Sequence, residues 1–386
     1  MTIEADPREV GLRPSSVDAI WGAARRLYET KTQPAMSLCV MRRGRAILDR
    51  ALGEARPGVL ARADTPFCVF SVSKAVTAML IHMLDGRNLL RLDDPVCEYI
   101  PEFASKGKRR MTIRHVLTHR AGIPSIEDHD DPNLLLDWDG IVRRLCDAEP
   151  VWPPGRRLAY HAITGGYVLG EIARRVTGKS IRDLLRDELA RPLGMRWMSY
   201  GVAPEDVEKV AVNQFTGARV PPGLGYLVKR AVGVPFERAV SISNDPRFLT
   251  AIIPSGNVVA TASELARFFE LLRAGGELDG VRVFDRRTVQ RALTETSYFE
   301  IDLTLGLPVR YGLGMMLGAR WASPYGPHTP RAFGHYGFIN VIGWADPDRA
   351  LSAALLTAGK PFLGPHLYRL WDLLRTVAHE IPRDAR

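Results

Sequence analysis

In the stretch FCVFSVSKAVTAML, residues 67 to 80, Ser71 and Lys74 stand three positions apart where an apolar run begins. At a helix start that spacing puts both side chains on one face, so the amine can reach the hydroxyl. A serine attacks a carbonyl only when a base takes its proton, and lysine becomes such a base when burial and the helix dipole disfavour its ammonium form. Unpaired backbone N–H groups at the same helix end would hold the oxyanion that the attack creates. The same two residues also suit an ordinary helix N-cap and a lysine reaching out to solvent. Spacing alone does not choose, because Ser105 and Lys108 repeat it. Context separates the two matches. Ser105 lies in the polar ASKGKRR turn, where nothing apolar would strip water from the lysine, whereas Ser71 follows TPFCVF and opens an apolar helix.

Other chemistries find little support. His115 and His119 have the spacing of a metal pair, but no carboxylate motif accompanies them and structural roles are expected. VTGKS at 176 to 180 resembles the end of a P-loop, yet Ala173 stands where the first glycine belongs, and a helix C-cap followed by an N-cap explains it. GLGMMLG at 312 to 318 is no dinucleotide fingerprint, and neither G-x-S-x-G nor H-E-x-x-H occurs. Cys39, Cys68, Cys97 and Cys146 fall singly and read as free thiols. No metal and no cofactor is expected.

The elements that must position Ser71 and Lys74 follow from periodicity. Residues 15 to 30 predict a helix with a capping pair at Ser15 and Asp18, and 35 to 53 predict a hairpin turning at Arg43-Gly44. From about 70 to 200 the pattern is helical, with segments stopping at Gly or Pro. Residues 201 to 250 are punctuated by Pro and Gly and suggest a lid or pocket wall. A helix at 262 to 276, strands within 311 to 359 and a closing helix at about 365 to 380 complete the chain. A lone hairpin is marginal in water, so the N-terminal strands are expected to join the C-terminal ones. The fold class is therefore α+β: an antiparallel β-sheet flanked by helices, with a largely helical inserted region. One domain is expected, its sheet region at about 1–70 and 250–386 and its helical region at about 71–249, with a cleft at the seam.

Of the 386 residues 52 are basic and 43 acidic, and the arginines are spread along the chain rather than gathered on one face. That argues against nucleic acid as a partner. The run KGKRR at 106 to 110 reads as a solvated turn. The acidic, proline-interrupted start lacks an export pattern, which points to the cytoplasm, and no apolar stretch nears the length of about 18 residues needed for a membrane span.

Several ordered blocks carry a resemblance that covers most of the chain: FSVSKAVTAML, MTIRHVLTHRAGIP at 111 to 124, PPGRRLAYHAITGGYVLGEIARRVTGKS at 153 to 180, IPSGNVVATASELARF at 253 to 268, and FGHYGFINVIGWADPD at 333 to 348. In order and spacing the chain resembles the serine-reactive family of class C β-lactamases, D-Ala-D-Ala peptidases and family VIII carboxylesterases. The resemblance implies a β-lactamase/transpeptidase-like fold, Ser71 as acylated nucleophile, Lys74 as its base and Tyr160 as the tyrosine of the family's Y-x-N element. It also implies that His335, Tyr336 and Gly337 occupy the place of K-T-G on the strand beside the nucleophile, with the N–H of Phe338 pairing that of Ser71 as the oxyanion hole. Two departures stand out. Ala162 replaces the amide of Y-x-N, and His335 replaces the lysine that the resemblance assigns to a substrate carboxylate. Losing that lysine weakens the case for a β-lactam or peptide, and the altered site better fits a neutral ester or thioester, so a small-molecule ester or acyl substrate is the expected partner. The same acyl-enzyme would serve a transacylase of secondary metabolism, a weak β-lactamase or D-amino-acid peptidase, and a non-catalytic acyl- or peptide-binding homologue would keep the fold alone. Trp138, Trp152, Tyr336, Phe338 and Trp344 are candidate walls of an acyl pocket, at least half of them being plain core.

Overall fold

A computed structural model describes residues 4–126, 131–221, 225 and 234–384. The hairpin forms as the alternation predicts, with β1 (Ala35–Arg42) and β2 (Arg45–Arg56) joined at Arg43 and Gly44, both left-handed. Glycine takes that conformation without steric cost, which fixes the tight turn. A short β3 (Val59–Leu60) adds to this edge. Late in the chain come β4 (Ser297–Asp302), β5 (Leu307–Tyr311), β6 (Met316–Leu317), β7 (Phe333–Tyr336), β8 (Ile342–Asp346) and β9 (Leu351–Thr357). All nine make one sheet in the order β4-β5-β6-β7-β8-β9-β1-β2-β3, with every pairing antiparallel. The first strand thus joins the last, Met36 opposite Thr357 and Arg42 opposite Leu351.

Every residue of β1 is buried, so both sheet faces are covered. Met36, Leu38 and Val40 point to one face and pack with α1 (Pro14–Tyr28) and the C-terminal helix, while Ala35, Cys39 and Met41 point to the other. That period-2 division is what a strand sandwiched between helix layers requires. On the second face lie α2 (Ser73–Gly86), α3 (Thr164–Thr177) and α4 (Ala262–Arg273), and α5 (His366–Glu380) closes the first face beside α1. Gly178 is left-handed after α3 and Ser180 caps the next helix, so VTGKS is the cap pair expected. The four cysteines are free.

One expectation is corrected, and two features go beyond the sequence reading. Helix α1 has Arg13 at its N-cap with no side-chain bond, because Pro14 takes the first turn and draws Ser15 and Ser16 into the helix. Strand β4, absent from the sequence reading, forms the far edge of the sheet with Tyr298 and Ile301 exposed. The 180 to 194 segment runs as α-helix over Ile181–Leu185 and then widens to a π-turn. Of the 201–250 stretch, residues 222–224 and 226–233 lie outside the described residues. The remainder includes the strand Gln214–Thr216, paired in parallel with Gly359–Pro361, and the helix Phe236–Ile242. Among the described residues no helix is long and apolar enough to cross a membrane.

Candidate active site

Helix α2 is apolar along nearly its whole length and is buried from Ser73 to Asp85. A single 3₁₀ turn, Phe70–Val72, precedes it and leaves Ser71 half-buried between buried neighbours. The turn is pinned on both sides. Phe67–Cys68 pairs with Val258–Ala260, the Val69 N–H donates to the Val258 carbonyl at 2.8 Å, and the Ser73 hydroxyl accepts from the Val258 N–H at 2.9 Å. Phe70 is left-handed at φ 48°, a costly conformation for an aromatic residue that the surrounding pairings hold in place.

Lys74 sits one turn on, with only 8% of its surface exposed. Its Nζ lies 3.2 Å from the Ser71 Oγ, 2.8 Å from the Ala162 carbonyl and 3.1 Å from the Ser255 carbonyl. No carboxylate faces it at ion-pair distance among the described residues, and burial holds its pKa well below the usual 10.5. A neutral amine has two N–H bonds and one lone pair. With both N–H groups given to the two carbonyls, the lone pair is left for the Ser71 O–H.

Tyr160 lies in a segment between helices, its ring 4.6 Å from the Lys74 Nζ, with Ser71 close to its phenol. Burial raises the phenol's pKa, with Ser71 opposing, so a neutral O–H is the resting form. The segment is fixed from behind by Asp302 at the end of β4, whose Oδ1 accepts from the N–H groups of Tyr160, Thr304 and Leu305 at 2.9 to 3.0 Å. The His119 ring lies 4.7 Å from that of Tyr160, tilted by 49°, and its Nδ1 accepts from the His161 N–H. The His115–His119 pair is no metal site. His115 Nδ1 caps its own helix, while His119 is left-handed beyond the end of that helix and buried elsewhere. Among the described residues no cluster could hold a metal ion.

Strand β7 borders the turn that carries Ser71. A Cβ on Gly337 would stand 2.5 Å from the Val69 carbonyl, so only glycine lets the strand approach this closely. His335 is 2% exposed, and its Nδ1 donates to the Tyr336 carbonyl at 2.6 Å. Burial, aided by the nearby Lys74, takes its pKa down to about 3. The imidazole is therefore neutral, with Nε2 an acceptor, and places no cation where the resemblance expects lysine. The Phe338 N–H has no partner among the described residues, and its ring meets Phe70 at 5.5 Å. The other members of the aromatic set pack elsewhere: Trp344 is core at 1% exposure, Trp138 bonds Glu171, and the Tyr336 hydroxyl donates to the Pro324 carbonyl.

The second Ser-Lys pair differs from expectation. Lys108 is not solvated but fully buried, donating to the carbonyls of Cys146 at 2.8 Å and Ala148 at 2.5 Å. The Ser105 hydroxyl also donates to the Cys146 carbonyl. Burial lowers this lysine's pKa as well, yet its N–H groups tie two loops together, and no tyrosine or second strand converges there. Ser255, Asp302 and the contact of His119 with Tyr160 escaped the sequence reading, which gave His119 a structural role only. The first acts through a carbonyl and the others through contacts between remote segments, which leave no local pattern.

A family model described as "Beta-lactamase" matches residues 23–377. Over 308 residues the chain is 35% identical to the esterase/β-lactamase LipL of Mycobacterium tuberculosis, covering 76% of this chain and 69% of that one. It is similar to a solved penicillin-binding-protein homologue from Caulobacter crescentus, at 28% identity and TM-score 0.84 over 96% of this chain and 99% of the other. A solved family VIII carboxylesterase matches at 26% identity and TM-score 0.81, over 94% and 98%.

Proposed function

The chain belongs to the Beta-lactamase family, and from that premise we propose that it is a serine hydrolase that cleaves carboxylic esters through an acyl-enzyme on Ser71. The observation that carries the proposal is the dehydrated Lys74 amine, 3.2 Å from the Ser71 Oγ with its other two directions occupied by carbonyls. Lys74 takes the Ser71 proton as Oγ adds to the ester carbon, and the ammonium then has three acceptors around it. The oxyanion is held by the N–H groups of Ser71 and Phe338. As the tetrahedral species collapses, the proton returns from Lys74 through the Tyr160 O–H to the departing alkoxide, which leaves as the alcohol. Water then enters, gives its proton along the same route, and releases the carboxylic acid.

His335 favours an ester over a β-lactam or peptide, because a neutral imidazole offers no charge to a substrate carboxylate. The test is intact-protein mass spectrometry with p-nitrophenyl esters on wild type, Ser71→Ala and Ser105→Ala. The acyl adduct should vanish in the Ser71 variant alone, and an adduct that survives there overturns the assignment. Repeating the reaction with added alcohols reads acyl transfer directly, and product ester in excess of free acid would make the protein a transacylase. Nitrocefin turnover should be feeble.

A further inference from the structure

A chain of five phenylalanine rings begins at Phe70, the residue before Ser71. The Phe70 ring lies 5.5 Å from Phe338, Phe338 lies 4.9 Å from Phe236, and Phe236 lies 5.9 Å from Phe215 and 5.6 Å from Phe362. They arrive from five separate segments: the nucleophile turn, the Gln214–Thr216 strand, the Phe236–Ile242 helix, the loop after β7, and the residue following Gly359–Pro361. Phe70 and Phe236 are buried, whereas Phe215, Phe338 and Phe362 are each only half-buried. A plain core cluster would be closed over, but this one has a buried floor and an accessible rim.

Its position relative to the proton path assigns it a side of the substrate. Tyr160 has His119 and His335 as ring neighbours, and none of the five phenylalanines makes a ring contact with it. The leaving alcohol must depart towards the group that protonates it, which is the Tyr160 and Lys74 side. The acyl chain stays bonded to Ser71 and takes the other side, where Phe70 and Phe338 adjoin the two N–H groups that hold the carbonyl oxygen. We propose that these five rings are the acyl-chain subsite and that the preferred substrates are esters of medium-chain aliphatic acids rather than acetates. This inference rests on the acyl-enzyme reading above.

The test compares p-nitrophenyl acetate, butyrate, hexanoate and octanoate with a matched series of alkyl acetates, in wild type and in Phe362→Ala, Phe215→Ala and Phe236→Leu. A fully buried methylene is worth a factor of about four, so hexanoate should exceed acetate in kcat/KM by roughly ten- to a hundredfold at partial burial. Each substitution should cut that hexanoate-to-acetate ratio at least about threefold, one methylene's worth of contact. The rim variants Phe362→Ala and Phe215→Ala keep the result readable if the buried Phe236 proves necessary for folding. A ratio that the substitutions leave unchanged, or a preference carried by the alcohol chain, overturns the subsite while the Ser71 adduct still forms. Absence of a Ser71-dependent adduct with every ester would instead sink the reading beneath it.

Discussion

Replacing Lys360 by methionine measures what it costs this fold to keep an amine away from water. Lys360 is wholly buried, donates to the Thr357 carbonyl at 2.6 Å, and lies 4.8 Å from the centre of the ring of Phe70, the residue that precedes Ser71. No carboxylate pairs with it among the described residues, and burial takes its pKa from 10.5 down to about 7, with Cys68 opposing weakly. Between those two values the unfolded chain carries a proton that the folded protein does not. Stability attributable to this group is therefore fully present above pH 10.5 and is lost as pH falls through about 7. At the acid end the penalty is about 5 kcal/mol, and about 2.5 kcal/mol of it is relieved between pH 6 and pH 9. Methionine has similar volume and no charge, and it forfeits one hydrogen bond worth about 1 kcal/mol. Urea unfolding of both proteins at pH 6 and pH 9 isolates the effect, because other titrating groups cancel in the difference. The methionine variant should be the more stable by about 3 to 4 kcal/mol at pH 6, with that margin shrinking by about 2.5 kcal/mol at pH 9. Parallel pH profiles for the two proteins, or a margin that grows with pH, would show that Lys360 keeps its proton and that the burial argument is wrong.

Further outcomes concern Lys74, Tyr160, Asp302 and Lys108. Lys74→Met should slow acylation by about 10² to 10⁴-fold. In wild type, kcat/KM should rise with pH as Lys74 loses its proton and level off well below pH 10.5, whereas a rise confined to the region above it would mark an ordinary lysine. Tyr160→Phe keeps the ring and removes the proton relay, so stopped-flow acylation should again fall about 10² to 10⁴-fold with unchanged circular dichroism. Asp302→Ala strands three buried N–H groups and should lower both stability, by about 2 to 4 kcal/mol, and kcat, while Asp302→Asn keeps an acceptor oxygen and recovers most of each. Lys108→Ala should cost about 1 to 3 kcal/mol in thermal unfolding, by leaving the Ala148 carbonyl unpaired and the Cys146 carbonyl to the Ser105 hydroxyl alone, without changing the Ser71 adduct.

What the sequence disclosed was what local chemistry encodes. The Ser71–Lys74 pair is an i, i+3 contact, and α2 ends where its apolar run ends, so both were legible directly. Joining the hairpin to the late strands followed from the instability of a lone two-stranded unit. Tyr160 and His335 come from segments far from Ser71, and only the resemblance supplied them. Three other features left no trace, each for a definite reason. Lys108 lies in a stretch polar by composition, and the two carbonyls that enclose it belong to residues about forty positions on. Ser255 and Ala162 contribute backbone oxygens, which every residue type possesses. Asp302 ends a strand whose exposed aromatic and aliphatic side chains broke the alternation expected of a half-buried edge.

The pairing of β1 with β9 sets a condition on biosynthesis. Arg42 meets Leu351, so the inner edge of the hairpin must wait for about 300 further residues, roughly 15 to 60 s at usual translation rates. For that interval a nascent chain carries an open, apolar strand edge of the kind that templates aggregation. Slow codons or a scarcity of chaperones during that window should lower the soluble yield of this protein more than any change at Ser71.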